Sequence, residues 1–454
     1  MKIFKIFIKI FISLLVIIII ALLISIRPVD HSSYQDSDYY QKTLDELAKI
    51  TAKLPQMEKS NLWAGTGKAG LTPHVGTPLA GYSNREGAPS VGVHDSLFVR
   101  AIALQSGNQL VCILGYDALV CPTHYARIIE DSVRSEFGLT KDQLLFTATH
   151  THSGPGGWGH GWVEEQFSGP PDAQVQKLFV HNTLAAIRQA LSDKLPVGFQ
   201  YGSIKAPQFI RNRLIKEYGK VDADLSYAAF SRAGKLVAVF ATYSAHATVL
   251  PSKNMLISGD YPGYFERKVE SETNALVIFA AAGVGSHGPR ISAKNFDRAR
   301  YLGNSLADSL LVGLNKSVEE ACNLIYFRLP MQIPEPQIRI SRNFRIAPWI
   351  ARSLINLKNP YLEIIGLNDF LIFGTPADFS GELALSLKEY AKHKKFQITI
   401  TSFDGSYLGY MTPSKYDALD SYETQLMSFL GPYTGDYFLD IMKHIVDELR
   451  IIGV

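Results

Sequence analysis

Two histidines one residue apart, His150 and His152, lie between an apolar run, Leu144-Leu145-Phe146, and a glycine-rich stretch, Ser153-Gly154-Pro155-Gly156-Gly157. On a strand, positions i and i+2 point to the same side, so both imidazoles would face one site. Imidazole is a common zinc ligand and the usual acid or base near neutral pH. The glycines that follow let a ligand approach the backbone closely. On residue types alone the pair reads equally as two polar residues at a strand end, so other groups must decide.

Those groups gather at the ends of other apolar runs, where function usually sits. His246 follows such a run in Tyr243-Ser244-Ala245-His246. Asp260, after Ser258-Gly259, reads as a helix cap or as a residue that orients a ligand. Phe279 to Pro289 is a strand running into a glycine-rich turn with Ser286 beside His287; it has the look of a nucleophile turn without the GxSxG spacing. Asp378 ends another run as either a helix N-cap or a ligand, with Glu382 one turn later. Tyrosines are dense from Tyr407 through Tyr410 to Tyr416, Tyr422 and Tyr433. Asp117 has no assigned role. The stretch Gly65 to Gly70 suggests a phosphate loop but lacks the Walker spacing. Cys112, Cys121 and Cys322 have no zinc-finger spacing and read as buried small hydrophobes, so any metal must use His, carboxylate or Tyr.

The elements that must position these residues alternate. Strand-like runs fall at 96–104, 109–114, 144–147, 199–202, 236–243, 275–281, 323–329, 362–373 and 397–402. Helical patterns fall at 39–54, 122–137, 173–192, 262–273, 296–316 and 380–393. The alternation predicts an α/β fold, a large mixed-sheet layered domain over 61–454, with no internal repeat visible. Residues 30–60 read as a polar juxtamembrane segment with one helix, and 334–360 as an excursion. Ahead of these, Ile10 to Ile26 is free of charge, with Lys2, Lys5 and Lys9 on its N-terminal side. Residues 1–29 therefore read as one transmembrane helix, an uncleaved signal anchor. Its N-terminus would stay in the cytoplasm and the domain would face the periplasm, lumen or exterior. A net charge of +3, with three lysines ahead of the apolar run, leaves the remainder near neutral. Nothing there argues for nucleic acid. Apolar residues at 46% allow a sizeable core.

In order along the chain, Gly81-Tyr82, His150-Thr151-His152-Ser153-Gly154-Pro155-Gly156-Gly157, Asn212-Arg213, His246, Ser258-Gly259-Asp260, Pro376-Ala377-Asp378-Phe379, Tyr410-Met411-Thr412 and Gly431-Pro432 resemble the neutral, non-lysosomal ceramidase family. Those enzymes are zinc amidases that cleave ceramide to a sphingoid base and a fatty acid. The resemblance implies one zinc held by His150, His246, Asp378 and Tyr410. It implies that His152, Arg213 and Tyr422 hold and polarise the substrate amide. It further implies an N-acyl lipid as substrate partner, with the membrane reached through the N-terminal helix.

The chain departs from the family pattern in three places. Gly288 falls where the family has a serine discussed as a nucleophile, and Ser286 comes two residues early. Zinc-bound hydroxide is therefore the expected nucleophile, with Ser286 the remaining candidate for a serine mechanism. Asp378 stands where the family has a glutamate, with Glu382 as a fallback ligand. The sequence stops about 20 residues after Gly431-Pro432, so the family's C-terminal immunoglobulin-like domain is not expected. The alternatives are an amidase for a smaller N-acyl compound and a non-catalytic lipid- or glycan-binding descendant. A zinc phosphoesterase is a weaker reading, because such sites are usually richer in Asp and Asn ligands.

Overall fold

The computed structural model describes residues 2–54, 59–314, 318–355, 357 and 359–452. Helix α1 (Lys2–Ser25) carries the apolar run. Its segment Phe4–Ser25, of 22 residues and mean hydropathy 3.2, is long and apolar enough to cross a membrane. At ~1.5 Å per residue it measures about 33 Å, against a hydrocarbon core of about 30 Å. Its side chains stay exposed instead of packing on the domain. The strand Ile26–Pro28 follows at once and pairs antiparallel with Phe344–Ile346. Trp349 Nε1 donates to Ile24 O at 3.3 Å. Helix α2 (Asp38–Thr51) starts at Ser37, whose hydroxyl accepts from the Tyr40 N–H. It packs on the C-terminal helix through buried Leu47 and a 2.7 Å hydrogen bond between Thr43 and Tyr437.

The rest repeats one topology three times. In the first unit, β1 (Ser60–Gly70), β2 (Phe98–Ser106) and β3 (Gln109–Tyr116) are antiparallel neighbours; α3 (Thr123–Phe137) then carries the chain to β4 (Leu144–Ala148), parallel to β3. Helices α4 (Trp162–Ser168) and α5 (Ala173–Ser192) follow. The second unit has β5 (Gly198–Lys205), β6 (Asp224–Arg232), β7 (Lys235–Tyr243), α6 (Asp260–Thr273) and β8 (Leu276–Ala281), then α7 (Phe296–Gly313). The third has β9 (Leu324–Pro330), an excursion bearing α8 (Pro348–Leu354), then β10 (Tyr361–Leu367), β11 (Phe370–Thr375), α9 (Gly381–His393), β12 (Gln397–Ser402) and α10 (Thr434–Ile451). In each unit the last two strands are parallel, joined through a helix.

The three sheets meet face to face. Leu104, Ile113 and Leu145 of the first, Phe240 and Ile278 of the second and Ile372 of the third share one buried cluster. Helices cover the outer faces: α3 and α5, α6 and α7, and α2 with α9 and α10. Strands buried on both faces are near-continuous apolar runs, which is why most were visible in sequence.

The structure departs from the sequence reading in places. The run 362–373 is two strands, not one; they turn at Asn368-Asp369, where Asn368 takes φ 53°, a conformation asparagine tolerates. The glycine-rich stretch around residue 65 is not a phosphate loop but part of β1. A Cβ on Gly65 or Gly67 would lie 2.0 Å from Ala190 O or 1.9 Å from Ala186 O, so glycine is what lets α5 lie against the strand. Strand β6 and helices α4, α8 and α10 were not anticipated. Helix α7 ends at Gly313; residues 315 and 316 of the expected helix lie outside the described residues.

Candidate active site

The loops beyond the three parallel strand pairs converge, and each unit contributes. His150 and His152 come from the loop after β4, His246 from the loop after β7 and Asp378 from the segment after β11. The two histidines do not meet by strand alternation, because β4 ends at Ala148 and His150 takes φ 60°. A left-handed turn in a non-glycine residue is strained and persists only where its surroundings enforce it.

The three imidazoles present their Nε2 atoms to one another. His246 Nε2 lies 3.0 Å from His150 Nε2 and 3.0 Å from His152 Nε2, and the last two are 3.4 Å apart. Nitrogens about 2.0–2.1 Å from a tetrahedral zinc stand about 3.3 Å from each other, so this triangle fits around an ion. Asp378 Oδ1 lies 3.6 Å from His150 Nε2 and 3.9 Å from His246 Nδ1. Asp378 is 1% exposed, yet Oδ1 has no hydrogen-bond partner among the described residues. A buried carboxylate oxygen left unpaired is costly unless a cation meets it.

The other ring nitrogens separate the roles. A metal-binding histidine almost always donates its second N–H to a carbonyl, carboxylate or water. His150 Nδ1 reaches Leu119 O at 2.7 Å and His246 Nδ1 reaches Val284 O at 3.4 Å. His152 Nδ1 is buried without a partner among the described residues. Gly81 lies against it: a Cβ there would come 2.5 Å from His152 Nδ1, and φ 112° already demands glycine. The Tyr82 ring rests 4.6 Å from the His152 ring, and Arg85 donates to His152 O. Burial holds His150 down at about 3 and His246 and His152 well below the usual range, so all three lone pairs are free at neutral pH. Burial pushes the Asp378 carboxyl up to about 7, against a hydrogen bond from Tyr407 and the charge of Arg213. A dication would reverse that shift.

Asp378 does not cap α9; Ser380 does, through the Glu382 N–H. The short strand Asp378–Phe379 instead pairs in parallel with Tyr410–Met411, which sets Asp378 directly beside Tyr410. Tyr407 donates to Asp378 Oδ2 at 2.8 Å. Arg213 donates from Nη2 to the Tyr410 hydroxyl at 3.1 Å, sits over the Tyr410 and Tyr422 rings at 5.6 and 5.8 Å, and lies 3.5 Å from Glu423. Arg85 and Glu423 were not singled out in sequence, and Tyr407 and Tyr82 were named there without a role. The tyrosine-dense stretch and the Gly81-Tyr82 pair were the only signals for the two tyrosines.

Other candidates fall away from the cluster. Ser286 is 1% exposed and does not line the cavity. His287 Nε2 accepts the Asp222 N–H at 2.9 Å, so in the neutral ring Nδ1 carries the proton and donates to Ser286 Oγ at 2.8 Å. Gly381 N–H donates to the same oxygen at 3.2 Å. Ser286 thus accepts two bonds and has no base, which argues against it as a nucleophile. Glu382 is engaged by Asn212, Tyr416 and Lys415 and is not a fallback ligand. Asp117 pairs with Arg100 at 2.9 Å, and Asp260 accepts from the Leu250 and Tyr261 N–H groups. At Gly288 a Cβ would lie 3.6 Å from Arg213 Cδ, an open position facing the arginine.

Ser286→Ala is accordingly expected to retain most specific activity, within about threefold, while losing stability. It orphans two buried donors, each costing about 1–3 kcal/mol. Activity per folded molecule and the denaturant midpoint together check this; a thousandfold fall in kcat would restore a serine mechanism.

Above the cluster opens a cavity of about 630 Å³, within the usual range for ligand sites. His150, His152, His246, Asp378, Arg213 and Tyr410 form its polar end. Trp158, Phe167, Leu354, Ile355, Leu426 and Phe429 give it an apolar wall. Leu354 and Ile355 end α8, the helix whose Trp349 touches α1.

A family model described as neutral/alkaline non-lysosomal ceramidase, N-terminal, matches residues 63–297, a little over half of the chain. The chain belongs to this ceramidase family. The match includes His150, His152, Arg213 and His246; Asp378 and Tyr410 lie beyond it. A neutral ceramidase of Pseudomonas aeruginosa is 25% identical over 276 residues, 53% of this chain and 40% of that protein. Neutral ceramidase A of Dictyostelium discoideum is 25% identical over 240 residues, 48% of this chain and 33% of the relative. A neutral ceramidase of rice (Oryza sativa subsp. japonica) is 26% identical over 228 residues, 45% and 28%. The matched segments therefore span less than half the length of these relatives. The crystal structure of the Pseudomonas aeruginosa neutral ceramidase shares the fold, with a TM-score of 0.75 at 17% identity over 87% of this chain and 75% of that one.

Proposed function

We propose that this member of the ceramidase family is a zinc-dependent amidase that hydrolyses the N-acyl bond of ceramide or a related N-acyl lipid beside a membrane. One observation carries the reading: His150, His246 and the unpaired Oδ1 of Asp378, one residue from each unit, meet at the polar end of an apolar-walled cavity. These three residues would hold the zinc, with Tyr410 beside Asp378 as the fourth ligand. When bound, the metal supplies Lewis acidity, polarising an amide carbonyl and making water acidic enough to react near neutral pH.

The chain's own groups do the rest. Arg213 keeps its charge although buried, because the Tyr410 and Tyr422 hydroxyls and Glu423 outweigh desolvation; it can stabilise charge developing on the amide oxygen. His152, whose Nδ1 has no backbone partner, is left to exchange a proton with the reacting amide. The apolar wall takes the acyl chain and excludes water. With its basic residues on the N-terminal side, α1 supports a single-pass anchor whose domain lies outside the cytoplasm.

The test is fatty-acid release from labelled ceramide by the full-length protein in mixed micelles. Release should stop on chelation and return with zinc. Release indifferent to the chelator sinks the metal reading. Release from a short N-acyl amine but not from ceramide keeps the amidase and overturns the lipid.

A further inference from the structure

A second cluster lies beside the same cavity: His124 in the first turn of α3, His160 in the loop before α4 and Glu164 in the first turn of α4. One ligand-type atom from each falls within 4.8 Å of the other two. We propose that these three residues form a second site for a zinc-like divalent ion, on the cavity wall.

The geometry prepares it. The His124 and His160 rings stand 3.7 Å apart between centroids at 50°. His160 Nδ1 is 3.0 Å from Trp158 O and must donate to it, which leaves the Nε2 lone pair free. His124 Nε2 is buried without a partner among the described residues. Glu164 accepts the His160 backbone N–H through one oxygen at 2.9 Å, leaving the other available.

A tilted histidine pair beside a glutamate that accepts a backbone N–H is the ordinary alternative. It leaves unexplained why a buried ring nitrogen goes without a partner, a loss that folded proteins rarely accept. An ion removes that loss. Burial, with His160 next to it, lowers His124 to about 4, which keeps that imidazole neutral and able to ligate, and burial raises Glu164, a shift a dication would reverse. Two imidazoles and one carboxylate select zinc over magnesium or calcium and leave a coordination position open. Thr123 and Glu164 line the cavity, so an oxygen of the cavity's ligand is the natural fourth donor. The ion would tie α3, the glycine-rich loop and α4 into one rigid wall.

Zinc chloride titrated calorimetrically into the chelator-stripped full-length protein tests this. Two equivalents are expected in the wild type. One is expected in His124→Ala, in Glu164→Gln and in His160→Ala, whose exposed side chain makes misfolding a poor excuse. One is also expected in His246→Ala, by loss of the other ion. A wild type that binds one equivalent, abolished by His246→Ala, overturns the proposal, as do two equivalents in the His124 and His160 variants. One equivalent abolished by His160→Ala but kept by His246→Ala would uphold this site and reject the first.

Discussion

His246→Ala is expected to lower amide hydrolysis by at least about a thousandfold, the scale of losing a group on which the transition state depends, and to remove one equivalent of zinc. His246 is the second unit's contribution to the cluster, 1% exposed, its Nδ1 held by Val284 O and its Nε2 3.0 Å from His150 Nε2. An alanine leaves one imidazole, His150, with the oxygens of Asp378 and Tyr410, too few to hold the ion tightly. The informative control is His152→Ala. Because the His152 Nδ1 lacks the backbone partner that ligating histidines keep, this variant should lose activity and retain the metal. Metal analysis after dialysis, beside kinetics, separates the two. Zinc kept in His246→Ala would remove that imidazole from the site. Equal zinc loss in both variants would make His152 a third imidazole ligand and leave proton exchange to another group.

Arg213→Ala should lower kcat by about 10²–10³ with metal content unchanged. The guanidinium bonds the Tyr410 hydroxyl, lies over two tyrosine rings and faces Glu423, so its position is fixed before substrate arrives. Arg213→Lys should not rescue it, since a point charge on a flexible stem cannot reproduce a planar fork stacked on aromatic rings. The alanine variant also leaves the Glu423 carboxylate, 5% exposed, without its cation, so rates must be expressed per folded molecule. A rise in KM with kcat intact would mean that Arg213 binds ground state and transition state alike, and would end its assignment to the developing oxyanion.

Most sheet strands were legible because burial on both faces made them apolar throughout. Strand β1 was not, because its glycines answer to a helix 120 residues away in sequence, and glycine in a strand looks like a loop until that helix is in place. The hairpin at Asn368-Asp369 hid inside one largely apolar run because its two turn residues are Asn and Asp, with Gly366 lying in the strand before them. The threefold repeat was invisible because it is kept in connectivity and pairing, with different residues in each unit. At the site, His150, His246 and Asp378 were proposed as ligands through the family resemblance, since residue type alone left each with an ordinary structural reading. What separated His152 from its neighbours was a backbone carbonyl at a distance, and no local pattern encodes that. Ser286 looked chemical beside His287; the Asp222 N–H on the far side of that ring reverses the reading.

The pairing of Ile26–Pro28 with Phe344–Ile346 leaves no slack between α1 and the domain, and α8 carries that clip straight into the cavity wall. With α1 crossing a bilayer, the active site could not sweep the surrounding solution on a leash. It would work as a fixed outlet in one leaflet, fed by lateral diffusion, and its rate would follow the mole fraction of substrate in its own membrane, not the bulk concentration. Vesicles that carry the protein should consume their own labelled lipid and leave protein-free neighbours untouched.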